Sequence, residues 1–341
     1  MSVLFVTHDA YLDHLAGARH PERPARLTAV LEGAREASIA DALVPLEPRA
    51  ASRTELELVH TPEYLDLLET TAAAGGGRID ADTAMSAGSW QAAVLGAGAG
   101  LAAVEALERG QGGATSAFCA VRPPGHHATP ERGMGFCLVS NVAVVAATLA
   151  DRGERVAVVD YDAHHGNGTQ AAFFADPRVL YVSLHQWPLY PGTGWFDETG
   201  DGAGQGTTMN IPMPPGATGD VYLRAFEELI APALAGFAPT WLIISAGFDA
   251  HRFDPITDLG LSSQDYSLLT ARLIETVPAG RRLVMLEGGY DLEALKMSSS
   301  AVLGVLAGRS FQAEPSTSGG PGAPRIAEIH QSWRNDGLFA L

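Results

Sequence analysis

The chain is short of positive charge. Its 341 residues carry 22 Lys and Arg against 39 Asp and Glu, a formal net charge of −17. Nucleic-acid binding is driven by clustered cations that displace counterions from phosphates, so no direct nucleic-acid partner is expected. A cationic small molecule or peptide is attracted instead. Cysteine is scarcer still. Cys119 and Cys137 form no C-x-x-C pair and offer at most one bridge, which excludes a disulfide framework and a cysteine-built zinc knuckle. Buried thiols are expected. Long apolar runs are missing too: the longest, near residues 92–107 and 136–150, are broken by Gly, Ser or Asn and fall short of the roughly 20 residues of a membrane span. The opening MSVLFVTHD lacks the basic region of a secretory signal and reads as a first strand. A cytoplasmic protein without membrane attachment is expected, and an oligomer is compatible with the sequence.

What is present is globular: 46% hydrophobic and 18% charged residues supply a large core. Short apolar runs rich in β-branched residues recur at 116–121, 155–160, 179–184, 240–246 and 281–287, each the length of a buried strand. Amphipathic segments lie between them. In residues 24–37, Leu27, Val30, Leu31 and Ala34 follow helical spacing, and 221–234 reads as another helix. Strands alternating with helices predict an α/β domain with a parallel sheet covered on both faces. Ser52-Arg53-Thr54-Glu55 fits a capping box, and Thr61-Pro62 an N-cap followed by proline. The domain is placed at 1–311, a Pro/Gly/Ser-rich connector at 312–325 and a tail at 326–341. The stretch EPSTSGGPGAPR reads as flexible, whereas Ile326, Ile329, Trp333, Leu338 and Phe339 are apolar enough to pack back on the domain.

Open α/β sheets bind ligands beyond the carboxyl ends of their strands. Polar residues follow four of these strands: Arg122 to His127, Tyr161 to Gly168, Gly247 to His251, and Gly288-Gly289-Tyr290. Asp162 and His164, two apart just past a strand, can aim at one point, and Asp249 adds a third arm. Two carboxylates and one imidazole leave a fourth position open, as a catalytic zinc requires, and such a site also accepts Fe²⁺ or Co²⁺. Hydrolysis there needs a base, an acid and an oxyanion donor. His126 and His127 supply the first two: Asp160 could hold one imidazole charged while Asn167 orients the other without charging it. Tyr290, after two glycines, could point its hydroxyl at a carbonyl oxygen.

At these residues the chain resembles the histone deacetylase family of the arginase/deacetylase fold, and most of all its class II and bacterial amidohydrolase branch. The motifs are HPERPARL from His20, RPPGHHA from Arg122, MGFC from Met134, DYDAHHGNGTQ from Asp160, YPGTG from Tyr190, AGFDAHRFDP from Ala246 and EGGY from Glu287. The resemblance implies a single domain with a mainly parallel sheet of about eight strands. It implies a deacetylase acting on N-acetylated amines such as acetyl-lysine, with zinc on Asp162, His164 and Asp249. His127 would be general base and acid, His126 its electrostatic partner tied to Asp160, and Tyr290 the carbonyl donor. The Gly135 carbonyl would meet the substrate amide, Phe136 and Tyr190 would flank the acyl-lysine chain, and Arg26 would line an inner cavity. A structural potassium ion would sit on Asp160, Asp162, His164, Ser183 and Leu184, mostly through backbone carbonyls. Asp82-Thr83 matches loosely an Asp-Ser-like pair that contacts substrate.

Two departures bear on the substrate. Asn167 stands where class I enzymes have Asp, and Ile256 stands where the polyamine-selective eukaryotic branch has a gatekeeper glutamate. Bacterial acetylpolyamine amidohydrolases reach selectivity through other loops, so that substrate stays an alternative. An arginase-like ureohydrolase needs more carboxylates than a chain with Gly166 after His165 provides. A non-catalytic acetyl-ligand binding protein is disfavoured because every catalytic position is filled.

Overall fold

The computed structural model describes residues 1–36, 39–309 and 314–335. Its strands are β1 (Ser2–Val6), β2 (Leu43–Leu46), β3 (Gly76–Arg78), β4 (Ala84–Ser86), β5 (Ala114–Cys119), β6 (Val156–Asp160), β7 (Val179–Gln186), β8 (Thr208–Met213), β9 (Trp241–Ala246) and β10 (Arg282–Leu286). Eight of them form one sheet in the order β2-β1-β5-β10-β9-β6-β7-β8, with every neighbouring pair parallel. β3 and β4 make a separate antiparallel hairpin. Every residue of β6 and β9 is buried, which requires cover on both faces of the sheet and explains why these strands read as unbroken apolar runs. The five apolar runs are β5, β6, β7, β9 and β10, each displaced by no more than two residues at either end. The fold is thus the α/β domain with a parallel sheet that the sequence predicts, and its eight strands match the number that the resemblance implies.

The longest helix departs from expectation. Ser89–Glu108 spans 20 residues and is long and apolar enough to cross a membrane by length and composition, although its apolar run reads as too short in the sequence. Its most apolar window is 78% buried inside the protein, so that apolarity is spent on the core. Small residues let it pack closely: a Cβ on Gly100 would meet Val145 Cγ2 at 2.5 Å. Elsewhere local signals hold. Ser52 and Glu55 form the capping box, Thr61 accepts from the Tyr64 N–H with Pro62 in the first turn, and the predicted helix at 24–37 is Ala25–Glu36. The helix predicted at 221–234 is split by a π-helical turn, Phe226–Ile230.

Cys119 and Cys137 are free, buried thiols. The C-terminal helix, Ala323–Asn335, buries Ile326, Ile329 and Trp333. Leu338 and Phe339, like the domain boundary at 311, lie outside the described residues. Where the sequence suggests a flexible connector, Glu314 and Thr317 are hydrogen-bonded to the domain.

Candidate active site and metal centre

Because the sheet is parallel, the carboxyl ends of β5, β6, β9 and β10 open on one edge, and register brings their loops together. Asp160 at the end of β6 is level with Ser183 in β7 and Ser245 in β9, and Ser245 is level with Met285 in β10. The ligand atoms of Asp162, His164 and Asp249 all lie within 4.8 Å of one another, and all three residues are buried. His164 Nδ1 is 3.1 Å from Asp162 Oδ1 and 3.0 Å from Asp249 Oδ2. Burial works against the charged imidazole, yet the two carboxylates outweigh it and carry His164 to about 10. Backbone amides fix the acids: Gly288 N–H donates to Asp162 Oδ2 and Ala163 N–H to Asp249 Oδ1, each at 2.8 Å. A Cβ on Gly288 would lie 2.4 Å from Asp249 Oδ2, so only glycine permits this approach. Two carboxylate oxygens and one imidazole nitrogen, buried and converging, are the donor set of a small divalent ion such as zinc, whose bonds to such ligands are about 2.0–2.2 Å long. The residues fit.

The tandem histidines sit beside this cluster with unlike partners. His126 Nδ1 is 3.0 Å from Asp160 Oδ2, and His127 Nδ1 is 2.8 Å from Asn167 Oδ1. Burial lowers both imidazoles. For His126 the charges of Asp162 and Asp160 reverse the effect and hold it well above its ordinary value. For His127 the charges of His126 and His164 add to burial and hold it well below. Gly166 is required here, since its Cβ would fall 2.4 Å from Asp160 Oδ2.

A cavity of about 200 Å³ opens over the histidines, lined by Asp82, His127, Gly135, Phe136, His164, Tyr190, Ile256 and Tyr290. The Tyr290 ring meets Phe136 edge-on at 5.7 Å, and burial keeps its hydroxyl protonated. Phe136 holds a left-handed φ of 69°, stabilised where its N–H donates to Thr83 Oγ1 at 3.0 Å; Gly135 N–H donates to Asp82 Oδ1 at 3.1 Å. Thr83 therefore stands behind the wall rather than in it. Arg26 is not among the lining residues either. It is fully buried behind Tyr290, its Nε donating to the Gly289 carbonyl at 2.6 Å and its guanidinium 4.9 Å from the Tyr290 ring centre. Asp160, Asp162, His164, Ser183 and Leu184 all lie at the carboxyl ends of β6 and β7. The Asp160 carboxylate is committed to His126, the Tyr181 hydroxyl and the Asp162 N–H, and Ser183 Oγ to His185.

Two further acids support the site, and nothing in the sequence singled them out beyond their place in the motifs. Glu287 Oε2 accepts the N–H groups of Gly125 at 2.6 Å and His126 at 3.1 Å, fixing the histidine loop. Asp254 Oδ2 accepts the Tyr290 N–H at 2.7 Å, while its Oδ1 accepts that of Ile256 at 3.2 Å. Burial pushes both carboxyls up to about 7, helped at Asp254 by the charge of Asp249.

The histone deacetylase domain matches residues 20–306. The chain belongs to the histone deacetylase family. A probable deacetylase of Archaeoglobus fulgidus is 41% identical over 315 residues, 90% of this chain and 87% of that one. The histone deacetylase-like amidohydrolase of Pseudomonas aeruginosa is 36% identical over 308 residues, 87% and 79% of the two chains. Histone deacetylase 15 of Arabidopsis thaliana is 40% identical, with the match spanning 54% of its length. The crystal structure of the HDA15 HD domain superposes with a TM-score of 0.89 at 34% identity, covering 99% of this chain and 97% of that one. Histone deacetylase-family proteins are deacetylases and amidohydrolases, generally metal-dependent, that act on acetylated substrates.

Proposed function

We propose that the protein is a zinc-dependent amidohydrolase that removes acetyl or other acyl groups from N-acylated amines such as acetyl-lysine side chains. The observation that carries this reading is a pair of imidazoles with unlike partners, His126 on the Asp160 carboxylate and His127 on the Asn167 amide oxygen, beside a three-residue metal donor set and a tyrosine on one cavity wall. Asp162, His164 and Asp249 would hold the zinc. When bound, zinc supplies Lewis acidity that acidifies water and polarises the amide carbonyl.

The chain's own groups do the rest. Asn167 Oδ1 accepts the His127 Nδ1–H, which leaves His127 Nε2 as a free base. That nitrogen takes a proton from the attacking water and returns it to the departing amine. His126, charged and braced by Asp160, offers its Nε2–H to the developing negative charge, and the Tyr290 hydroxyl donates to the oxyanion. The amide C–N bond breaks, giving a carboxylate and an amine. The Gly135 carbonyl accepts the substrate amide N–H, and Phe136 and Tyr190 flank the chain. A potassium ion on the carbonyls of Asp160, Asp162, His164, Ser183 and Leu184 would brace the loop that carries Asp162 and His164.

Zinc-loaded protein incubated with an acetyl-lysine peptide, acetylputrescine and acetylspermidine should release acetate from at least one, with loss on chelation and recovery on zinc addition. Preference for the polyamines would replace the lysine reading with the acetylpolyamine one. Full zinc occupancy without hydrolysis of any amide would overturn both.

A further inference from the structure

The segment beyond the matched domain lies against two loops that line the cavity. Glu314 Oε2 accepts from His251 Nε2 at 2.8 Å and from the Ser263 N–H at 2.9 Å, and its Oε1 pairs with the Arg252 guanidinium. The Phe253 N–H donates to His251 Nδ1 at 3.3 Å, so the ring carries its proton on Nε2 and donates it to Glu314. The His251 carbonyl accepts the Asp254 N–H at 2.8 Å, and the Asp254 carboxylate in turn holds the backbone of Ile256 and Tyr290. Two hydrogen bonds therefore separate Glu314 from the carboxylate that sets one wall of the cavity. The other end of the segment reaches the loop that carries Tyr190, a second lining residue. In the C-terminal helix, Arg325 stacks over Trp195 at 4.5 Å and Trp333 Nε1 donates to the Phe196 carbonyl at 3.1 Å. Trp195 and Phe196 belong to the loop after β7 that carries Tyr190, closed where Glu198 accepts the N–H groups of Gly194 and Trp195.

We propose that residues 314–335 form a brace that sets the width of the acyl channel, with Glu314 as the positioning residue of the Ile256–Tyr290 wall. The inference rests on the amidohydrolase reading for its kinetic consequence and on hydrogen bonding alone for its structural one. Loss of the Glu314 carboxylate frees His251 and Arg252, and loop 251–256 then carries Asp254 and the Tyr290 backbone less firmly. The metal donors hang from other backbone amides and stay in place.

The test uses the full-length zinc-loaded protein as wild type, Glu314→Ala and Glu314→Gln. Amide hydrogen exchange is followed in peptides covering 251–258, 289–292 and β6, with kcat and KM measured for acetyl-lysine and butyryl-lysine peptides. Glu314→Ala should speed exchange about tenfold in the first two peptides and leave β6 unchanged. It should lower kcat on the acetyl peptide several-fold, lower KM for the butyryl peptide relative to the acetyl one, and leave zinc content unchanged. Glu314→Gln, whose amide oxygen still accepts from His251, should restore most of both. Unchanged exchange, exchange that rises equally in β6, or faster loop exchange with wild-type kcat and KM would each overturn the brace. If wild type hydrolyses neither peptide while loop exchange responds as described, the amidohydrolase reading falls and the structural brace stands.

Discussion

One atom separates the fates of two neighbouring imidazoles: His126 faces a carboxylate oxygen of Asp160, whereas His127 faces the amide oxygen of Asn167. A carboxylate within hydrogen-bonding distance raises an imidazole's pKa by about 1–3 units, and an amide oxygen orients the ring without that effect. Asn167→Asp should therefore raise the pKa of His127, which lies well below its ordinary value in the present protein. A base works only while neutral, so a higher pKa removes it at higher pH. The acidic limb of the kcat/KM profile should move upward by about 1–3 pH units, and an unmoved limb would show that His127 is not the base. Tyr290→Phe deletes a donor whose value is greatest in the transition state. Turnover should fall about 10²–10³-fold with KM changed far less, the scale seen when one oxyanion donor is removed. Metal analysis should show unchanged zinc, since Tyr290 is not among the three donor residues. By contrast, Asp249→Ala should lose zinc and turnover together, because it removes a donor.

Between elements, buried charge does the joining. Glu22, just ahead of the helix Ala25–Glu36, receives Arg122 from the loop after β5 through Nε at 2.5 Å and NH2 at 2.7 Å, with His14 Nε2 at 3.2 Å and Arg26 NH1 at 3.3 Å. Burial opposes this carboxylate, but His14 and Arg122 overcome the penalty and hold its pKa below the usual range. A carboxyl whose folded pKa is depressed adds stability above its unfolded pKa, about 4.3, and loses it as pH falls through the folded value. Glu22→Gln leaves two buried guanidinium groups short of a counter-charge and should destabilise the fold by about 3–5 kcal/mol in urea titrations at pH 7. The gap from wild type should close only in strong acid; a gap that widens as pH falls would refute the pairing. None of this joining was legible in the sequence, because Glu22 and Arg122 are a hundred residues apart. The central strands were legible because burial on both faces writes unbroken apolar runs, and the metal and histidine residues because they follow those strands directly. β2 and β8 were not, since each is an edge strand with a proline in it, Pro45 and Pro212. Asp254 and Glu287 escaped notice because their partners are mostly backbone amides, which have no residue signature, with the Ser245 hydroxyl as a further donor to Glu287. Thr83 lies behind the channel wall for a related reason: its hydroxyl serves the Phe136 N–H, a bond set by the fold of the β3–β4 hairpin against the loop after β5.

For the molecule as a whole, net charge and channel shape each bear on which acylated amines bind. The excess of 39 acidic over 22 basic residues creates a negative field that raises encounter rates with cations. Salt shortens its reach to about 10 Å at 0.1 M. Inside, a cavity flanked by Phe136 and Tyr190 favours an extended methylene chain, and each CH₂ leaving water contributes about 0.8 kcal/mol, close to a fourfold gain in affinity. The two effects separate by measurement, because salt weakens the first and slightly strengthens the second. Acetylated cationic amines should exceed an uncharged acetylalkylamine of equal length in kcat/KM at low salt, with the difference shrinking as salt rises. Lengthening the methylene chain should raise kcat/KM by a factor that is slightly larger at the higher salt concentration, until the chain fills the channel. Because acetylation removes the charge of the amine it blocks, the comparison needs acetylputrescine, acetylspermidine and acetyl-lysine peptides with free lysines flanking the acetylated one, against the neutral amine, at two ionic strengths. Equal turnover of the neutral amine at low salt would show that the field of the whole chain does not reach the channel mouth, leaving recognition to the aromatic walls alone.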